Sequence, residues 1–200
     1  MIVQVDISDL AIERGGQRLF SGLSAQVSSG KALALSGRNG TGKTSLLRAI
    51  AGLLRPATGT IGFGELDPAE ARARDLHLLG HLDGLKASQT VAEELSFWSA
   101  LLGGEGQGVA RGLDRLGLSR LKDLEIRRLS AGQRRRVALA RLIAVPRRLW
   151  LLDEPLSPLD ADWRSRVGEI MDAHLGSGGL IIAAVHDRLP IAADVLEIAP

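Results

Sequence analysis

Apolar positions recur along the chain in two rhythms, and the switches between them divide it into elements. From Ile2 to Ile12 and again from Leu19 to Val27 they alternate with a period near two, with Gly15 and Gly16 between the runs. This predicts two antiparallel strands joined as a hairpin or small sheet. Ala32 to Leu35 is a short unbroken apolar run entering a glycine-rich turn, and Lys43 to Ala51 then follows a helical rhythm. The order is strand, loop, helix. A further strand is predicted near Thr60 to Phe63. In LDPAEARAR, Asp67 stands as N-cap, Pro68 takes the first helical position and Glu70 falls in the first turn, the marks of a short surface helix. Leu76 to Leu79 reads as a buried strand.

Thr90 and Glu93 have the spacing of a capping box. Behind it Val91, Leu95, Trp98 and Leu102 recur on one helical face, which is predicted to pack within the protein. Gly103 to Gly108 should break that helix, with shorter helical pieces around Leu113, Leu116 and Leu121 following. Ser130 and Gln133 form a second capping box, opening a helix that ends at Val145 before Pro146. Leu149 to Leu152 and Leu180 to Val185 are continuous apolar runs, separated by a helix over about Ala161 to Leu175. Strands that are apolar on both faces belong to a parallel sheet covered on both sides, so the class is α/β with a mainly parallel core sheet. The N-terminal strands add an antiparallel β subdomain. No repeat or linker interrupts the chain. The expectation is a single domain over 1–200, with a core and β subdomain from 1–80 and 147–200 and an inserted helical subdomain over about 85–135.

Composition narrows this picture. The chain has 200 residues, 45% of them hydrophobic, enough for one substantial core. Leu180 to Val185 is the longest apolar stretch, far short of the roughly 20 residues that cross a bilayer. The opening MIVQVDISDL carries acidic residues and alternates in polarity, unlike a secretory signal, so a cytoplasmic location is expected. Cysteine is absent, which excludes disulfides and thiolate metal sites. Net charge is +2, and only Lys31, Lys43, Lys86 and Lys122 are lysine, so the basic clusters are arginine clusters. Arg134, Arg135 and Arg136 have the form of a nucleic-acid stripe. The near balance of acidic residues favours a solvated helical face instead.

The candidate chemistry begins at GRNGTGKT, residues 37 to 44, which fits G-x-x-x-x-G-K-[ST] between a strand and a helix. Backbone N–H groups of Gly37, Arg38, Asn39, Gly40, Thr41 and Gly42 would close around phosphate oxygens, and the helix N-terminus through Ser45 adds partial positive charge. Lys43 would reach the β and γ phosphates of ATP, and the Thr44 hydroxyl would ligate Mg2+. LWLLDE, residues 149 to 154, ends a buried strand in two carboxylates. Asp153 suits magnesium, held through water. Glu154 suits the general base that polarises the attacking water. LSAGQ, residues 129 to 133, puts Ser130, Gly132 and Gln133 at a helix N-terminus, a second anion site. SPLD at 157 to 160 and His186 after the last apolar run complete the series.

These motifs, in this order, resemble those of ABC-type ATPases, whose signature is usually written LSGGQ. The resemblance covers nearly the whole chain. It implies a homodimer in which the signature at Ser130, Gly132 and Gln133 faces the γ-phosphate held by the opposite subunit. It also implies that Asp160 communicates across the dimer and that His186 contacts the γ-phosphate beside Glu154. LLGHLDGLKASQTVAEELSFWSALLGG, residues 78 to 104, and QRLFSGLS, residues 17 to 24, narrow the likeness to the CcmA family, the ATP-binding subunits of bacterial c-type cytochrome biogenesis. That family implies docking on the membrane subunit CcmB, with CcmC nearby, at the cytoplasmic face of the inner membrane. Its system was first described as a haem exporter, and ATP hydrolysis is now tied to release of the haem-loaded chaperone CcmE.

Two departures stand out. The family's GHQ is GHL here, so Leu82 occupies a position where glutamine sits near magnesium and water, and slower hydrolysis through Glu154 and His186 is expected. The chain also has no tyrosine to stack on adenine. Arg14 is the candidate that replaces it, through its guanidinium plane. The stretch from Leu82 to Trp98 is the expected docking surface for the membrane subunit. A soluble ATPase working on DNA or ribosomes would need a long coiled-coil insertion or a second ATPase domain, and the chain holds neither. An ATP-dependent clamp that barely hydrolyses is the other alternative, and Leu82 is what makes it conceivable.

Overall fold

The structure is a computed structural model describing residues 1–199. A three-stranded antiparallel sheet is built from β1 (Gln4–Arg14), β2 (Gln17–Ser28) and β4 (Thr58–Gly62), with β1 in the middle. The hairpin predicted at Gly15 and Gly16 is present, and both glycines have positive φ, 60° and 77°, as a two-residue turn between twisted strands requires. Register shifts between Ile7 and Ile12 disturb β1's alternation, and it runs two residues beyond the predicted end.

The second sheet contains β3 (Ala32–Ser36), β5 (Leu76–Leu79), β6 (Leu149–Asp153), β7 (Leu180–Ala184) and β8 (Asp194–Glu197). Its order is β5-β6-β7-β3-β8 and every pairing is parallel. The apolar runs explain it. Ala32, Ala34, Trp150, Leu152, Ile181 and Ala183 face one core. The intervening Leu33, Leu35, Leu149, Leu151, Ile182 and Ala184 face the other. Leu149, Leu151, Leu152, Ile181 and Ile182 are all fully buried, each worth about 1.5–3 kcal/mol of burial. An Asp at position 151 would unfold the domain. Edge strand β8 was not predicted. It pairs with β3 from Leu33 to Ser36 yet leaves Val195 exposed, so its sequence lacks the continuous apolar run of its neighbours.

Helices α1 (Lys43–Ile50), α2 (Pro68–Asp75), α3 (Val91–Leu101), α4 (Gly106–Arg115), α5 (Ala131–Ala144) and α6 (Ala161–Gly176) complete the fold. The predicted caps are present: Asp67 accepts from Ala69 N and Glu70 N, and reciprocal capping boxes join Thr90 with Glu93 and Ser130 with Gln133. Val91 and Leu95 are buried in the core that α3 shares with α5.

The glycine stretch 103–108 does not act as one break. The chain leaves α3 at Leu102 and α4 already starts at Gly106. Tertiary packing overrides propensity here: a Cβ on Gly108 would lie 2.0 Å from the Ala144 carbonyl oxygen, and one on Gly112 would lie 2.8 Å from that of Ala140. Only glycine lets α4 come this close to α5. The predicted pieces around Leu121 reduce to a single 3-10 turn, Ser119–Leu121.

Candidate functional site

Because the strands of the second sheet are parallel, the loops leaving β3, β6, β7 and β5 share its carboxyl edge, where open α/β sheets bind ligands. A cavity of about 530 Å³ opens there, lined by Asn39, Gly40, Gly42, Lys43, Thr44 and Ser45 of the phosphate loop, by Asp153 and Glu154, and by His186. Arg14, Leu19, Arg48, His81 and Ser157 complete its wall.

The loop's shape follows from its glycines. Gly37 has φ 132°, and a Cβ there would lie 2.5 Å from the Ile198 carbonyl oxygen. Gly42 has φ 107°, and its Cβ would lie 2.9 Å from the Phe20 ring. Side chains are excluded at both positions. Gly42 is the N-cap of α1 and offers no side chain to its free N–H groups. Lys43 is buried, and its ammonium donates to the carbonyl oxygens of Gly37 (2.6 Å) and Arg38 (3.2 Å). Gly37, Arg38 and Thr41 support the loop rather than line the cavity, with Thr41 Oγ1 donating to Arg38 O at 3.0 Å.

Opposite the loop, Thr44 Oγ1 donates to Asp153 Oδ2 at 2.9 Å. This brings together two hard oxygens, the donors Mg2+ takes alongside substrate phosphates. Glu154 follows in the left-handed region, φ 48°, a conformation costing about 1–2 kcal/mol for a residue with a Cβ. Its Oε1 is buried without a hydrogen bond, and His186 Nε2 stands 3.4 Å away. A buried carboxylate oxygen without a donor can accept a proton from a bound water.

The four histidines divide by burial. His77 lies inside with Nε2 2.6 Å from Val145 O, and burial pushes its pKa down to about 4. His174 stacks on Trp150 with centroids 3.7 Å apart, and burial likewise lowers it to about 4. Both stay neutral as packing groups. His81 and His186 are the exposed pair at the cavity.

Ser130, Gly132, Gln133 and Asp160 do not line this cavity. Ser130 and Ala131 are exposed at the start of α5, where the Gln133 side chain accepts from Ser130 N at 2.8 Å. Gly132 packs on the 157–160 segment: a Cβ there would lie 3.0 Å from Pro158 O. Asp160 is the N-cap of α6, accepting from Trp163 N at 2.9 Å.

The arginine run at 134–136 is not a solvated face. Arg134 donates to Leu129 O, while Arg136 donates to Leu116 O and lies 3.9 Å over the Trp163 ring. Arg135 is 2% exposed and spends its guanidinium on the residues around Asp153 and Asp83. Its spacing was the missed signal: it stands three, four and seven residues before the buried Ala138, Leu139 and Leu142, on the apolar face of α5. Leu82 is 83% exposed and outside the cavity lining, which its neighbour His81 joins.

Comparison with known proteins agrees with this geometry. Residues 20–157, more than half of the chain, match the ABC transporter family. The chain is 50% identical over 185 residues to "Cytochrome c biogenesis ATP-binding export protein CcmA" of Rhodopseudomonas palustris, and 49% identical over 185 residues to the protein of that name from Nitrobacter winogradskyi. In each case 92% of both chains is covered. A solved structure, "Putative ABC transporter (ATP-binding protein)" of Pyrococcus furiosus, superposes with a TM-score of 0.86 over 98% of this chain and 97% of that one at 22% identity, a likeness of fold. A phosphate loop facing paired carboxylates, with the LSAGQ helix turned outward from the same cavity, is thus the ATP-binding domain of an ABC transporter, and the chain belongs to the CcmA family of cytochrome c biogenesis ATP-binding export proteins.

Proposed function

We propose that this chain is the energy-coupling ATPase of a membrane complex in c-type cytochrome biogenesis, and that residues 37–45, Asp153, Glu154 and His186 hydrolyse ATP. The observation that carries the reading is the meeting of Thr44, Asp153, Glu154 and His186 at one cavity, with Thr44 and Asp153 at 2.9 Å and Glu154 and His186 at 3.4 Å. Lys43 and the N–H groups at the start of α1 hold the β and γ phosphates. Thr44 and Asp153 would hold Mg2+, which would supply neutralisation of charge on the phosphate oxygens. Glu154 draws the proton from the attacking water through Oε1, and His186 sits where it meets the γ-phosphate. Arg14, on the cavity wall, stacks its guanidinium plane on adenine.

Two copies of the chain work together, with Ser130, Gly132 and Gln133 of each closing on the nucleotide held by the other and Asp160 lying at their junction. Exposure of Ser130 and Ala131 outside the chain's own cavity supports this arrangement. The dimer works as a peripheral partner of CcmB, with CcmC nearby, at the cytoplasmic face of the inner membrane, as the family resemblance implies. No helix among the described residues is long and apolar enough to cross a membrane. Exposed Leu82, Phe97 and Leu101 supply the apolar face that docks there. Residues 1–80 and 147–200 act as the nucleotide-binding core and about 85–135 as the helical part that senses the partner. The work delivered, as the family resemblance implies, is ATP-driven release of a haem-loaded chaperone. The test is ATP turnover by the purified chain with its membrane partners, against Glu154→Gln. Turnover that vanishes in the variant supports the reading, and equal turnover in both overturns it.

A further inference from the structure

Arg135 uses its whole donor set inside the protein. Nε donates to Pro155 O at 3.0 Å, and Nη2 donates to the carbonyl oxygens of Asp153 and Glu154 at 2.7 and 2.8 Å. Nη1 donates to Gly80 O at 3.0 Å and to Asp83 Oδ1 at 2.8 Å. These five bonds match the five N–H groups of a guanidinium. They join two segments that flank the cavity. One is 153–155, where Glu154 is held in the left-handed region. The other is 80–83, where Arg135 grips the residues on either side of His81 and Leu82.

A second chain of contacts reaches the same loop from the helical part. Arg141 Nη2 donates to Asp83 O at 2.7 Å, and its guanidinium lies 5.0 Å over the Trp98 ring. Trp98 Nε1 donates at 2.7 Å to Glu94 Oε1, on a side chain that is itself buried. Trp98 stands beside Phe97, on the helix that presents the exposed Phe97 and Leu101.

We infer that Arg135 is a positioning residue for hydrolysis: paired with Asp83, it sets the backbone of Glu154 and ties the general base to both the 80–83 loop and the signature end of α5. This rests on the reading of Glu154 as the general base. Arg135 lies five residues after Ser130 on one unbroken helix, so a shift of the signature end must move the group holding the Glu154 carbonyl. A shift of the 80–83 loop, pulled through Asp83, acts on the same guanidinium. One side chain thereby links the proposed partner-facing half-site, the face toward the membrane subunit and the reacting carboxylate. Lysine cannot reproduce the link, because a single ammonium has three donors and no planar fork.

The test compares full-length wild type, Glu154→Gln, Asp83→Asn and Arg135→Lys for kcat, KM for ATP, direct ATP affinity and thermal unfolding. Arg135→Lys is expected to lower kcat by about 100-fold, the scale of a 1 Å misplacement at a reacting centre. Asp83→Asn, at a partly exposed position, is expected to lower kcat by about tenfold. In both, KM and ATP affinity stay within about threefold of wild type, a split that general loss of packing does not produce. If Arg135→Lys fails to fold, Asp83→Asn decides alone. If Glu154→Gln is inactive while Asp83→Asn and a folded Arg135→Lys keep the wild-type kcat, the inference is overturned and the reading of Glu154 survives. A fall in kcat accompanied by equal losses of ATP affinity and thermal stability also overturns it. If Glu154→Gln turns over ATP as fast as wild type, the reading of Glu154 itself is overturned.

Discussion

Helices α1 and α5 both begin at a glycine-containing turn, and each leaves backbone N–H groups free at its first turn, yet the two ends meet opposite surroundings. At α1 the cap is Gly42, no side chain occupies the donors, and Lys43 and Ser45 are buried in the wall of a cavity built from the chain's own residues. At α5, Ser130 and Gln133 cap each other while Ser130 and Ala131 stand exposed, away from that cavity. The same local device therefore opens into a walled cavity in one place and onto the exposed surface in the other. The difference supports the proposal that the chain carries two unlike halves of a site, the second of which would meet its anion on another molecule.

The sharpest way to separate binding from chemistry at the α1 end is Glu154→Gln, expected to cut turnover by about 10²–10⁴-fold while ATP binding by the single chain persists. Lys43→Ala should instead strike binding itself. Losing a charged hydrogen bond of about 1.5–3 kcal/mol weakens ATP affinity by roughly 10–100-fold in an equilibrium titration. Ser130→Ala at the α5 end should leave that titration unchanged while lowering turnover of the assembled protein by about tenfold, the order of one lost hydrogen bond. If it weakens single-chain binding as Lys43→Ala does, the contrast between the two ends collapses.

Arg14→Ala refines the wall near the α1 end. A partly exposed stacking contact of about 0.5–1 kcal/mol predicts a two- to fivefold loss of ATP affinity, and unchanged affinity would remove Arg14 from the base site.

These comparisons need both ends folded, which sets a pH window. Burial lowers the folded-state pKa of His77 and His174 to about 4, below the unfolded value near 6.5. The unfolded chain therefore binds more protons between those values, and stability falls as pH drops from about 6.5 toward 4. The slope reaches about 1.4 kcal/mol per pH unit for a fully buried histidine. Urea unfolding midpoints across that range check it, and a flat profile would contradict the burial of these two rings.

The phosphate loop and both capping boxes were legible because each is local: a helix start is written in three or four consecutive residues. The parallel core was legible because strands buried on both faces must be apolar throughout. What escaped were features whose partners lie far along the chain. Edge strand β8 carries no continuous apolar run, since Val195 faces outward. Gly106 and Gly108 read as a helix breaker until α5 packs beside them. Arg135 lies in a charged run whose local pattern resembles a solvated face, and its acceptors sit far along the chain at positions 80, 83 and 153–155. At the 80–83 loop, Leu82 is exposed, while His81 stands on the cavity wall and Asp83 pairs with the buried Arg135.

Because the chain has no cysteine, the proposed meeting of one subunit's α1 end with its partner's α5 end can be read directly. Asn39→Cys and Ala131→Cys are introduced together in the Glu154→Gln background, and the protein is oxidised with and without Mg2+ and ATP. The account predicts an ATP-dependent disulfide between subunits, seen as a species of twice the chain mass on a denaturing gel. A cross-link that is absent with ATP, or equally strong without it, would contradict the shared site.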